Sequence, residues 1–149
     1  MSSIPPLDCM LYVEDDPDHA ELVLRTLERS GKKAAVVHVE DGAAALDYLA
    51  RSGRAEVPKP RLILLDLRLP KVDGIDVLRM VKGSPEFSAI PVVVLTSSAN
   101  SQDLLRAYAC NVNSYLVKPD DFGLLDALIE EVGQYWLELN RVPVEHRAG

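Results

Sequence analysis

Four short apolar runs of this sequence stop at polar or charged residues whose chemistry is complementary. The residues that end these runs are, in chain order, Glu14 with Asp15, then Asp66, Thr96 and Lys118. A short, continuous apolar run is typical of a strand buried on both faces of a parallel sheet, and the carboxyl ends of such strands meet at one edge. One such residue alone would more often be a turn or cap residue, but four stops of this kind together predict a single site.

The three carboxylates among these residues predict a cation site. Two negative charges about 4 Å apart repel by about 4 kcal/mol at an effective dielectric near 20, so Glu14, Asp15 and Asp66 require a positive partner. All the ligand atoms would be oxygens, which favours a hard ion such as Mg²⁺, with Mn²⁺ as the alternative.

The same edge suits phosphoryl chemistry. Asp66, at the end of a central strand, is the natural nucleophile toward phosphorus. Lys118 would neutralise one phosphoryl oxygen, and the hydroxyl of Thr96 would donate a hydrogen bond to another. The residues therefore predict an aspartyl phosphate held by a metal ion, a lysine and a hydroxyl.

The elements that must position these residues follow from the spacing of the apolar side chains. Strands are predicted over 9–13, 34–39, 62–65, 90–95 and 114–117. A segment with the apolar spacing of a helix follows each strand, and the last two lie near 101–110 and 122–139. A strand followed by a helix, five times over, predicts an α/β fold with a doubly wound parallel sheet, helices on both faces and right-handed crossovers.

Composition and charge restrict the class of protein. The chain has 149 residues, a length typical of one domain, and its net charge of −7 argues against nucleic acid as a partner. No apolar run approaches the roughly 20 residues of a membrane span, and the N-terminus lacks the basic and apolar blocks of a signal peptide. We therefore expect a cytoplasmic protein that binds neither a membrane nor nucleic acid.

The cysteines and histidines do not form a metal motif in the sequence. Cys9 and Cys110 lack zinc spacing and are expected to be reduced thiols, as in a cytosolic protein. His19, His38 and His146 also lack metal spacing, so we expect them to be surface or packing residues.

The segments around the strand ends resemble the response-regulator receiver domain of two-component signalling. The similar segments are 13–16, 64–70, 73–74, 94–97 and 115–119. By that resemblance the fold is the flavodoxin-like five-stranded sheet in the order 2-1-3-4-5. The resemblance also implies that a partner sensor histidine kinase phosphorylates Asp66, and that Glu14, Asp15, Asp66 and the backbone carbonyl of Arg68 hold Mg²⁺.

The resemblance further implies a conformational switch. Thr96 and Lys118 would contact the phosphoryl group, and Thr96 would form a switch pair with Tyr115. The peptide bond between Lys118 and Pro119 is expected to be cis.

The chain is also similar to one subgroup, the small stand-alone regulators of phytochrome-type histidine kinases. Segments 67–71 and 90–96 carry this similarity, which implies a bacterial phytochrome as the kinase. Arg68 stands where this subgroup often has asparagine. Its side chain could reach the phosphoryl group or shield it from water, which leaves the lifetime of the phosphorylated state open.

We expect three parts of the chain: an N-terminal extension over 1–7, a receiver domain over 8–139 and a C-terminal arm over 140–149. Tyr135, Trp136 and Leu139 follow the apolar stripe of the last helix, beyond the point where the sheet should cover them. Because aromatic residues are favoured interface anchors, they predict a homodimer built on the last helix and the arm. The resemblance supports pairing through the fourth helix, fifth strand and fifth helix; the alternative is a tail folded onto its own domain.

Other functions fit the residues less well. A flavin or nucleotide binder of this fold would need a Gly-, Ser- or Thr-rich loop after the first strand, where this chain has the acidic segment 14–17. A Mg²⁺-dependent phosphatase usually needs a second acidic residue at the position of Arg68. A degenerate receiver, or a phosphate-handling module acting as a binding protein, would usually lack Asp66 or Lys118.

Since no output domain follows residue 139, we expect an output by protein contact, onward phosphotransfer or phosphate buffering.

Overall fold

Five strands alternate with five α-helices along residues 9–31 and 34–143, the part of the chain that a computed structural model describes. The elements are β1 (Cys9–Val13), α1 (Pro17–Arg29), β2 (Ala35–Val39), α2 (Gly42–Gly53), β3 (Leu62–Leu65), α3 (Gly74–Gly83), β4 (Val92–Thr96), α4 (Ser101–Ala109), β5 (Ser114–Val117) and α5 (Phe122–Gly133). The predicted extension over 1–7 and the part of the arm over 144–149 lie outside the described residues.

All five strands are parallel and lie in the order β2-β1-β3-β4-β5, so the predicted flavodoxin-like topology is confirmed. Every residue of β1, β3 and β4 is buried, which explains why these strands appear in the sequence as unbroken apolar runs. The edge strands β2 and β5 are only partly buried.

Alternate residues of the inner strands face two separate apolar layers. One layer packs β1, β3 and β4 against α2 and α3 through residues such as Leu11, Ile63, Val94, Leu49 and Leu78. The other packs the opposite face against α1 and α5 through residues such as Tyr12, Leu64, Val23, Leu125 and Ile129. Because side chains alternate across a strand, this two-sided core holds the strand ends at one rigid edge.

The predicted last helix differs from the observed one. It is α-helical only as far as Gly133, and Gln134–Leu139 forms a wider π-helical turn in which the Asn140 N–H donates to the Tyr135 carbonyl at 2.6 Å. This hydrogen bond spans five residues instead of the four of an α-helix, which changes the direction of the side chains that follow. Leu137 and Trp136 pack against the α1–α5 side of the core, whereas Tyr135 and Leu139 remain exposed.

The strand registers bring the chemically important residues to the same edge. Val13 pairs with Leu65, and Thr96 pairs with Val117. The backbone ladder continues one residue further: the Asp66 N–H donates to the Val13 carbonyl at 3.1 Å.

Among the residues that the structure describes, no helix has the length and apolar character that crossing a membrane requires.

Candidate functional site

Three carboxylates meet where β1 and β3 end. Glu14, Asp15 and Asp66 each place an oxygen within 4.8 Å of the others. Glu14 and Asp66 are buried, at 1% and 7% exposure, whereas Asp15 faces solvent. They line an open cavity of about 240 Å³ that an ion could enter from the side of Asp15. This all-oxygen set of ligands fits a divalent metal ion.

The ammonium group of Lys118 lies among these carboxylates. Its Nζ donates to Glu14 Oε1 at 2.5 Å and to Asp66 Oδ2 at 3.1 Å. The Lys118 side chain is only 3% exposed. Buried charges of this kind are stable only when each is paired and hydrogen-bonded, so Lys118 compensates part of the negative charge of the cluster.

The charge of Glu14 is sensitive to this environment. Burial raises the pKa of Glu14 to about 7, although the hydrogen bond from Lys118 acts in the opposite direction, and the nearby charge of Asp66 raises it further. Burial therefore favours the neutral carboxyl group, whereas the Lys118 ammonium group favours the carboxylate. Because a cation in the cavity favours the ionised form, metal binding and deprotonation of Glu14 support each other.

Thr96 and Tyr115 approach the site from β4 and β5, and both contact Ser98. Thr96 is fully buried, and its Oγ1 accepts a hydrogen bond from the Ser98 N–H at 3.3 Å. The Tyr115 hydroxyl donates to the Ser98 carbonyl at 2.9 Å. The two residues of the predicted switch pair are therefore connected through one loop residue.

Arg68 connects the site to α4. Its backbone N–H donates to Asp66 Oδ1 at 3.2 Å. Its guanidinium extends in the other direction, where Nη2 donates to Asp103 Oδ2 at 2.6 Å. The turn containing Arg68 is held closely, since a Cβ atom added to Gly74 would lie 2.3 Å from the Asp66 carbonyl oxygen.

Sequence reasoning missed the roles of His19 and Asp103 in this region. His19 was expected at the surface or in packing, but it lines the cavity, and its Nδ1 lies 3.0 Å from Lys118 Nζ. Its position three residues after Asp16, the N-cap of α1, was the available signal, because it puts His19 on the first helical turn beside the strand ends. Asp103 lies in the first turn of α4, and no sequence pattern indicated its pairing with Arg68.

His38 agrees with the sequence prediction of a packing residue, and the prediction for His146 is not tested. His38 packs against Tyr12 with ring centroids 5.3 Å apart, and its Nε2 lies 2.9 Å from the Glu14 carbonyl oxygen. His146 is outside the described residues.

The predicted cis peptide bond between Lys118 and Pro119 is wrong. No peptide bond among the residues that the structure describes is cis. The trans form of a bond to proline is intrinsically favoured by about 0.5–1 kcal/mol. With the trans bond, the Lys118 N–H donates to the Thr96 carbonyl at 2.8 Å and the side chain still reaches Asp66.

The sequence matches a family model and several known proteins. The model described as "Response regulator receiver domain" matches residues 10–130. The chain is 50% identical over 134 residues to "Probable methanogenesis regulatory protein FilR2" of Methanothrix harundinacea, an alignment that covers 90% of this chain and 86% of that protein. It is 39% identical over 139 residues to "Response regulator Rcp1" of Synechocystis sp., with 93% and 95% covered.

Two solved structures have the same fold over nearly their whole length. The Mn²⁺-bound form of Rcp1 superposes with a TM-score of 0.87 at 38% identity and covers 92% of this chain and 99% of its own. The phosphorylated cyanobacterial phytochrome response regulator RcpA superposes with a TM-score of 0.87 at 36% identity, covering 93% and 99%.

Substitution of Asp15 tests the metal centre. We expect Asp15→Ala to weaken Mg²⁺ and Mn²⁺ binding at least about tenfold, the loss typical of removing even an outer-shell partner of a metal ligand. Isothermal titration of the purified protein with each metal measures this change. Asp18→Ala, which removes an exposed carboxylate from the first turn of α1, should bind like wild type.

The same variant separates metal binding from folding. Without metal, Asp15→Ala should unfold at the same or a higher urea concentration than wild type, because one source of repulsion is gone. Wild-type metal affinity in Asp15→Ala would contradict the assignment of the site.

Proposed function

The chain belongs to the response regulator receiver family, and on that premise we propose that it accepts a phosphoryl group on Asp66 from a sensor histidine kinase. The observation that carries this proposal is the 3.1 Å contact between Asp66 Oδ2 and Lys118 Nζ beside the cluster of Glu14 and Asp15. A carboxylate nucleophile, a buried cation and a set of metal ligands share one open cavity.

The proposed reaction forms a bond between an Asp66 carboxylate oxygen and phosphorus while the bond from phosphorus to the histidine nitrogen of the kinase breaks. The attacking oxygen must lie in line with that leaving nitrogen. Glu14, Asp15, Asp66 and the backbone carbonyl of Arg68 would hold Mg²⁺, with Mn²⁺ as the alternative. When bound, the ion neutralises charge on the phosphoryl oxygens.

Lys118 and Thr96 are the proposed contacts of the transferred group. Lys118 can exchange its hydrogen bond with Asp66 for one with a phosphoryl oxygen, because its ammonium group already faces the nucleophile. Thr96 ends the strand next to β3, where its hydroxyl can rotate from Ser98 toward Asp66. The presence of both Asp66 and Lys118 argues against the alternative of a degenerate receiver that acts only as a binding protein.

We propose that Thr96 and Tyr115 form the switch. As the Thr96 hydroxyl moves toward the phosphoryl group, it vacates space that the half-buried Tyr115 ring can fill. Tyr115 must then give up its hydrogen bond to the Ser98 carbonyl. The signal is a shift of population between two packings of β4, β5 and the loop after β4.

The proposed partner is a phytochrome-type histidine kinase in the cytoplasm. Similarity over almost the full length to Rcp1 and to the phytochrome response regulator RcpA supports this choice. The net charge of −7 argues against nucleic acid as a target. Output would then be by protein contact, onward phosphotransfer or phosphate buffering.

We also propose that a receiver domain over 8–139 forms a homodimer, with 140–149 as an arm. Large apolar side chains are exposed along α4, β5, α5 and the π-helical turn: Leu105, Tyr108, Val117, Leu124, Tyr135 and Leu139. Large exposed apolar side chains on these neighbouring elements favour a symmetric pair. Trp136 packs partly on its own core, so Tyr135 and Leu139 are the more accessible anchors.

Phosphorylation is tested with the Asp66→Asn variant. We expect an acid-labile label from a histidine kinase in wild type only when Mg²⁺ or Mn²⁺ is present, and a label at background in Asp66→Asn, since the amide is not a nucleophile. Asp73→Asn is the matched control, because Asp73 precedes α3, is exposed and makes no side-chain cap bond. Equal labelling of Asp66→Asn and wild type would refute the acceptor.

The switch is tested through the Tyr115 ring. With Mg²⁺ and a phosphoryl mimic such as beryllofluoride, the NMR signals of the Tyr115 side chain should move, while those of Tyr48, which lies on α2, should stay. Thr96→Ala should still be phosphorylated but should show a much smaller Tyr115 shift. Identical Tyr115 signals with and without the mimic would rule out this switch.

The dimer is tested by light scattering at micromolar concentration. Truncation after Gln134 should lower the apparent mass from that of a dimer toward that of a monomer. Because truncation also removes the buried Leu137, the double variant Tyr135→Ser, Leu139→Ser provides a test that keeps the core intact. A wild-type protein that stays monomeric, both bare and phosphorylated, would exclude the dimer.

A further inference from the structure

A nearly buried carboxylate on α4 receives hydrogen bonds from the two loops that flank Asp66. Asp103 is 6% exposed. Its Oδ2 accepts from Arg68 Nη2 and from Ser98 Oγ, both at 2.6 Å. Arg106, one turn further along α4, lies 3.8 Å from its other oxygen. A carboxylate at this depth needs such donors, so the orientation of Asp103 is fixed by the two loops.

Arg68 contacts both the proposed acceptor, Asp66, and Asp103 on α4. Its backbone N–H donates to Asp66 Oδ1, the residue lines the cavity, and its guanidinium donates to Asp103. The Arg68 side chain is 67% exposed, so it can change direction without disturbing the core. The arginine that lies nearest the proposed acceptor is therefore held on α4 by Asp103.

Ser98 connects the same carboxylate to the switch pair. Its Oγ donates to Asp103, its N–H donates to Thr96 Oγ1, and its carbonyl accepts from the Tyr115 hydroxyl. Asp103 thus helps to fix the loop conformation in which Tyr115 is hydrogen-bonded. A change at Arg68 can reach Tyr115 through Asp103 and Ser98.

Given phosphorylation of Asp66, the function proposed above, we propose that Asp103 is a positioning residue that competes with the phosphoryl group for the guanidinium of Arg68. Before phosphorylation Asp103 holds the guanidinium away from the acceptor. A phosphoryl group brings up to two negative charges and oxygen acceptors that suit the planar fork of arginine. The transfer of Arg68 leaves Asp103 with Arg106 and Ser98, and weakens the link between the acceptor loop and α4.

The competition affects the lifetime of the aspartyl phosphate. In hydrolysis, water attacks phosphorus, the bond from phosphorus to the Asp66 oxygen breaks, and inorganic phosphate and the free carboxylate are released with one proton. A guanidinium lying on the phosphoryl oxygens covers the face that water must approach. By drawing Arg68 toward α4, Asp103 keeps that face accessible and shortens the lifetime of the phosphorylated state.

The test is the decay of the acid-labile label in full-length protein with Mg²⁺. We expect the half-life in Asp103→Asn to lengthen roughly five- to tenfold, because the amide binds Arg68 more weakly while it still accepts from Ser98. In an Arg68→Met background the same Asp103→Asn change should have no effect. Asp76→Asn is the control of equal charge change, since Asp76 is an exposed partner of Arg79 on α3, and it should decay like wild type.

Two results would overturn the proposal. One is a wild-type half-life in Asp103→Asn. The other is an equal lengthening in the presence and absence of the Arg68 side chain, which would indicate a structural effect of Asp103 alone.

A separate measurement distinguishes this proposal from the proposed function. Urea unfolding of unphosphorylated wild type, Asp103→Asn, Arg68→Met and the double variant measures the coupling free energy between Arg68 and Asp103. We expect the double variant to lose less stability than the sum of the two single losses, since either change alone already breaks the pair. Zero coupling would refute the positioning role even if Asp66 is phosphorylated. Failure of wild type to take any label would instead refute the proposed function, and with it the competition for Arg68.

Discussion

The buried contact of the Lys118 ammonium with Glu14 and Asp66 is the interaction on which this edge of the sheet depends. Each of these charges would be costly alone in a place that water scarcely reaches. Together they form a group in which one cation compensates part of the charge of three carboxylates. The remaining negative charge is what makes the cavity suitable for a divalent ion, and binding of the ion would favour the ionised form of Glu14 against the effect of burial, which raises the pKa of Glu14.

The sheet supplies the rigidity that this contact requires. Because β1, β3 and β4 are covered on both faces, their carboxyl ends cannot shift independently. β5 adds Lys118 from the edge of the sheet, where the backbone hydrogen bond to Thr96 fixes its position. The loops beyond the strand ends are less constrained, and they carry the residues that the proposed switch has to move.

The environment of Asp66 therefore contains one fixed and one movable cation. Lys118 is buried and held by two carboxylates, whereas Arg68 is exposed and is shared between the acceptor loop and α4. The fixed cation suits a role in charge compensation, which must be present in every state. The movable cation, Arg68, suits a role in regulation. Its two positions are close in free energy, because moving between them only exchanges one hydrogen-bonded partner for another.

The sequence by itself determined the strand ends, the α/β fold and the convergence of Glu14, Asp15, Asp66, Thr96 and Lys118 at one edge. It could do so because burial on both faces of a parallel sheet produces apolar runs with sharp ends, and parallel strands end on the same side.

Only the tertiary structure decided which side chains pair between elements. The contacts of Asp103 with Arg68 and of His19 with Lys118 depend on how α4 and α1 are rotated and on the course of the loops. The trans bond at Pro119 and the π-helical turn that directs Leu137 inward and leaves Leu139 exposed were likewise not visible in the apolar pattern. Periodicity specifies which face of an element is buried, but the partner of a polar side chain is set by packing over long sequence separations.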